Sequence, residues 1–75
     1  KQRGVAYMSK LINDLVGKQC IIRSEFIFSF AGKTELSCKI IDADHEWIKI
    51  CYTEKKDKQV VKLMRIENIE SIEEQ

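Results

Sequence analysis

The stretch Gly32–Tyr52, GKTELSCKIIDADHEWIKICY, decides the fold. Leu36, Cys38 and Ile40 alternate with Ser37, Lys39 and Ile41. Beyond Asp44-His45-Glu46, Ile48, Ile50 and Tyr52 alternate with Trp47, Lys49 and Cys51. A period of two over runs of this length marks strands with one buried face, and the polar triplet between them marks a tight turn. The stretch therefore reads as a β-hairpin, and the rest of the chain reads as what surrounds it.

Working outward, Glu54–Lys58 is a charged turn and Gln59–Arg65 a further strand, read with Val61 and Leu63 facing in. Ile66-Glu67-Asn68 is a tight connection, and Ile69–Glu73 is a last short strand ahead of an acidic end. On the other side, Lys18–Ser24 reads as a strand with Cys20 and Ile22 on one face. Glu25–Ala31 carries Phe26, Phe28 and Phe30 alternating with Ile27 and Ser29, apolar on both faces. Two readings stay open for it: an extended hairpin covering the core, or a strand edge that pairs with another subunit. Further upstream, Leu11, Ile12, Leu15 and Val16 share a helical face and Gly17 follows, which predicts a helix over about 6–16, with Ser9 as an alternative N-cap. Met8 reads as a plausible natural start, which leaves residues 1–7 as upstream sequence, unordered, or as added sequence.

The 75 residues make one domain, with no proline-rich or glycine-rich linker to divide it. A chain of this size buries only about 60% of its unfolded surface, so it gains from oligomerisation. Thirteen basic and twelve acidic residues give a net charge of +1, short of the basic excess of a dedicated nucleic-acid module. Any phosphate binding has to come from a local patch. Three widely spaced cysteines, Cys20, Cys38 and Cys51, are an odd number inside strand-like runs. They read as reduced core thiols of an intracellular, cytoplasmic protein. No apolar run is long enough to span a membrane.

One helix followed by five short strands predicts a mainly β fold: a strongly bent, five-stranded antiparallel barrel over about 18–73, lidded by the helix. An open antiparallel meander with the helix on one face is the alternative. This order, with the motifs around the two main turns, resembles the Sm-like family of small barrels, a pattern shared with Src-homology-3-like barrels. In the first Sm motif a bent strand ends in an aspartate, followed by a large apolar residue and an asparagine; Asp44, Trp47 and Ile48 stand in those places. The second motif, apolar–Arg/Lys–Gly and then branched apolar residues, corresponds to Met64-Arg65-Ile66 and on to Ile72. Isoleucine replaces the asparagine at 48 and the glycine at 66, and an isoleucine has no amide to offer a base. The resemblance implies an oligomeric ring in which the fourth strand of one subunit pairs with the fifth of the next, around a single-stranded RNA ligand.

The residues offered for RNA contact are Asp44, Trp47, Lys55, Lys56, Lys58 and Arg65. Those offered for a homo-oligomer interface are Phe26, Phe28, Phe30, Val60, Lys62, Ile69 and Ser71. Each has a plainer reading. Lys55, Lys56 and Lys58 form a solvated hairpin tip or a phosphate-contacting loop. Trp47 and Tyr52 are core or interface aromatics, or platforms for base stacking. Asp44 and Arg65 are RNA contacts or simply an ion pair. Catalysis is not expected: the lone histidine, His45, sits in a polar turn, and no cysteine has a basic neighbour. No closely spaced ligand pair suggests a metal, no glycine-rich loop suggests a nucleotide, and neither a cofactor nor a small-molecule substrate is expected. A non-enzymatic protein-interaction or assembly module, motivated by the Phe26–Phe30 run, is the other functional class.

Overall fold

The computed structural model describes residues 10–75. Residues 10–13 are helical and 14–17 form a turn, so the helix ends at residue 13 rather than about 16; the expectations for residues 1–9, Ser9 and Met8 included, lie outside the described residues. The chain closes this turn at Gly17, whose φ of 88° suits glycine and whose N–H donates to the Ile40 carbonyl at 2.7 Å. Ile12 is buried, and Leu15 and Val16 pack partly against the core.

Five strands follow: β1 (Gln19–Arg23), β2 (Glu35–Ala43), β3 (Trp47–Thr53), β4 (Gln59–Arg65) and β5 (Ser71–Glu74). They form one antiparallel sheet in the order β4-β3-β2-β1-β5. The alternation in Gly32–Tyr52 is realised as read: Leu36, Cys38, Ile40, Ile48, Ile50 and Tyr52 are all buried. Cys20 pairs with Cys38 and Ile22 with Leu36 on the same face, which extends the core across β1. The register shifts between Ile40 and Asp42, leaving Ile41 as a bulge residue that is 38% exposed. A bulge bends its strand, and here it also restores parity, since Ala43 then sits opposite Ile48 on the core face.

Two expectations are corrected. Glu25–Ala31 is not extended: it is a seven-residue helix, α1. The Ser24 hydroxyl accepts from the Phe26 N–H at 3.1 Å, and Gly32, with φ 75°, ends the helix with its N–H on the Phe28 carbonyl. Winding into a helix resolves the two apolar faces, because it sends Ile27 fully into the core, turns Phe28 out, and lets Phe26 meet Phe30 one turn on. The second correction concerns β4. Its partners in β3 fix the facing: Met64 lies opposite buried Ile48, Lys62 opposite Ile50 and Val60 opposite Tyr52. Val61 and Leu63 therefore point outward, 58% and 53% exposed. A one-residue change of parity moves every side chain to the other face, and two adjacent valines left that parity open to the wrong choice.

Among the described residues the open edges are β4 and β5, and residues 66–70 connect them. In a flat five-stranded sheet the outer strands stand about 19 Å apart. Three of the connecting residues wind in a 3-10 turn, Ile66–Asn68, so the link reaches roughly 16 Å. The sheet must curl to be bridged this way. The two strands nevertheless form no ladder with each other, and the sheet stays open.

Candidate nucleic-acid interface

The β2–β3 turn is built by Asp44. Its Oδ1 accepts from the Glu46 N–H at 2.8 Å and the Trp47 N–H at 2.7 Å, while its own N–H donates to the Trp47 carbonyl at 3.0 Å. This is the aspartate-type turn that competes with regular structure and closes hairpins. The bonds from Trp47 and then Glu46 hold the Asp44 carboxyl below its ordinary range, with His45 adding to the effect and desolvation opposing it.

The β4–β5 turn comes to meet this one. The Ile66 N–H donates to the Glu46 carbonyl at 2.9 Å. Arg65 faces Trp47 directly across the ladder, its guanidinium 5.3 Å from the indole centre. The same guanidinium reaches Glu46 at 3.0 Å and Glu67 at 3.4 Å. Its Nε lies near the Glu67 carboxylate without the alignment of a hydrogen bond. Asp44, Trp47 and Arg65 are thus assembled at one end of the sheet. Arg65, however, is already committed to two carboxylates and an aromatic face. Ile48, at the motif's asparagine position, is fully buried, and Ile66 nearly so, so neither faces a ligand.

The lysines are elsewhere. Lys55, Lys56 and Lys58 are exposed on the β3–β4 turn, which contains the 3-10 segment Lys55–Asp57. Trp47 pairs with Arg65 at one end of this hairpin and Thr53 with Gln59 at the other. Six residues of strand separate the ends, about 20 Å. The six residues offered for RNA contact therefore form two separate groups, a stacked and charge-balanced one and a free basic one.

The residues offered for an interface divide as well. Val60 and Lys62 are half-buried on the core face of edge strand β4, Ile69 is half-buried in the link, and Ser71 is exposed on edge strand β5. Phe26 and Phe28 are exposed on α1, whereas Phe30 packs inward, with Tyr52 at 5.6 Å and the Lys62 ammonium 4.4 Å above its ring. The sequence reading takes Ser24 only as the end of the first strand and misses its role as a helix cap. Ser24 is fully buried, caps α1, and donates its hydroxyl to the Asn68 carbonyl, tying the helix to the β4–β5 turn. Its signal was the Ser24…Gly32 bracket around the seven residues of α1.

The thiols of Cys20, Cys38 and Cys51 are free. Burial pushes Cys38 up to about 12, with Cys20 and Cys51 adding to it. Among the described residues no group of histidines, cysteines and carboxylates is arranged to hold a metal ion, and no helix is long and apolar enough to cross a membrane. Comparison with models of known families, with curated proteins and with solved structures returned no match.

Proposed function

We propose that this chain is a subunit of a cytoplasmic Sm-like oligomer, a bent small barrel that joins its neighbours edge to edge and binds single-stranded RNA. The observation that carries the reading is that β4 and β5 are the two open edges of one curled sheet, linked by a single short turn. Each copy then has one edge to offer and one to accept, which is the requirement for a head-to-tail ring. Charge supports the pairing. Lys58 and Lys62 lie on or beside β4, and Glu70, Glu73 and Glu74 on or beside β5. The bulge at Ile41 and the meeting of the Asp44 and Arg65 turns also agree with the family pattern.

RNA contact in this reading rests on Lys55, Lys56 and Lys58, since Arg65 is neutralised. Such binding has little base preference and is salt-sensitive, with a slope of log K against log salt of about −2 per engaged subunit. Native mass by light scattering after size exclusion, at two salt concentrations, tests the assembly. A stable hexamer or heptamer is expected; a monomer sinks the ring. A labelled uridine- or adenine-rich RNA that fails to bind at low salt sinks the ligand.

A second reading, a protein-interaction module, is favoured by one observation: Phe28 stands 61% exposed on α1 beside Phe26. Phe28→Glu then changes the partners or the mass; an unchanged soluble variant removes this reading.

A further inference from the structure

Between the C-terminal end of α1 and the β3–β4 turn lies a cleft of about 420 Å³. Its volume falls within the range that small ligands occupy. Phe30, Leu36 and Tyr52 form the apolar wall, and Lys33 and Lys55 stand at the rim. The wall is already braced: Phe30 meets Tyr52 at 5.6 Å and carries the Lys62 ammonium at 4.4 Å. Leu36 and Tyr52 are buried in the core, so this side of the cleft is held by the sheet.

The charges around it are unbalanced. Lys33 and Lys55 have no ion-pair partner among the described residues, and Lys62 adds a third cation on Phe30. One carboxylate, Glu54, shares the rim. The Tyr52 hydroxyl has no hydrogen-bond partner among the described residues either, and burial with Glu54 nearby keeps it protonated, as a donor. An uncharged apolar molecule would use the wall and leave the cations idle. A bare inorganic anion would meet only solvated lysines, whose exposed pairing contributes little. A ligand with both parts uses both.

We infer that this cleft binds a small amphipathic anion, its apolar body against Phe30, Leu36 and Tyr52 and its carboxylate, phosphate or sulfonate head on Lys33 and Lys55. The site lies away from the Asp44–Trp47–Arg65 group and does not depend on oligomer formation.

The experiment is a two-dimensional amide NMR titration of the full chain with three probes: 8-anilinonaphthalene-1-sulfonate, decanoate and phenyl phosphate, with sodium phosphate alone as the control. The expected result is saturable one-to-one binding of at least one probe. Shifts should be confined to residues 30–36 and 52–55, and the affinity should fall at least tenfold in Lys33→Glu/Lys55→Glu. The order of the three affinities tells a carboxylate source from a phosphate or sulfonate one. Absence of saturable binding by every probe, shifts centred elsewhere, or unchanged affinity in the charge-reversed variant overturns the assignment. Should that variant unfold, the shift map of the unaltered protein decides the matter alone.

Discussion

A single buried hydroxyl does two jobs at Ser24. It accepts the Phe26 N–H, one of the free donors in the first turn of α1, and donates to the Asn68 carbonyl. Ser24→Ala removes the cap and strands a carbonyl, and the combined loss is about 2 kcal/mol. For a domain whose whole stability is roughly 4–11 kcal/mol this is large, and urea denaturation reads it as a lowered midpoint with unchanged slope. Asp44 acts through charge. Its folded pKa is depressed, so its contribution is present above the unfolded value near 3.9 and disappears as pH falls through the lower folded value. Asp44→Asn keeps an acceptor oxygen but has no proton to take up. Acid unfolding of that variant should therefore show a shallower dependence on pH below about 4 than the parent, and identical curves would refute the assignment. The thiols separate by exposure. In the native protein, Ellman's reagent should modify Cys51, which is half-exposed, and spare Cys20 and Cys38, which are fully buried.

At the scale of elements, α1 shows what the sequence hides. Phe26, Phe28 and Phe30 alternate as strand residues do, yet Ser24 and Gly32 bracket them as helix caps. The helix places Ile27 fully in the core and packs Phe30 and Ala31 partly against it, while Phe26 and Phe28 stay exposed. Ile27→Ala should cost about 2–4 kcal/mol and Phe28→Ala under about 1 by chemical denaturation, whereas a half-buried strand would have put both phenylalanine neighbours of Ile27 on the inner face. The hairpin was legible because Leu36 to Ile40 and Ile48 to Tyr52 alternate without interruption, and Asp44 announces the turn. In β4 the pair Val60-Val61 carries no parity of its own; facing is set by the ladder with β3, which the sequence does not display. The candidate site was half legible for the same reason. Asp44, Trp47 and Arg65 could be named from their motifs, but nothing in linear order shows that Arg65 is taken up by Glu46 and Glu67. The β3–β4 turn offers a second test. Lys56 and Asp57 both have positive φ, 63° and 61°, a conformation that favours Asn-Gly. Lys56→Asn/Asp57→Gly should stabilise by about 1 kcal/mol, a rise of roughly 4–8 °C in Tm.

The whole molecule is organised by its two edges. If they meet between copies, reversing the sign of one should separate them: Glu73→Lys/Glu74→Lys is expected to give a monomer by light scattering, and Lys62→Glu in the same chain to recover part of the mass. Glu74 also pairs with Lys18 at 3.5 Å, an exposed contact of little weight, so the variant should still fold. The order β4-β3-β2-β1-β5 has one more consequence, and it concerns time. The partner of Cys20 on its outer side is Glu74, more than fifty residues later. A ribosome adding about 5–20 residues per second finishes β1 roughly 3–10 s before β5 exists. Through that interval the nascent β1 pairs on one side only. Its bare side is the place where a chaperone, or the β5 of a neighbouring nascent chain, competes with the protein's own last strand.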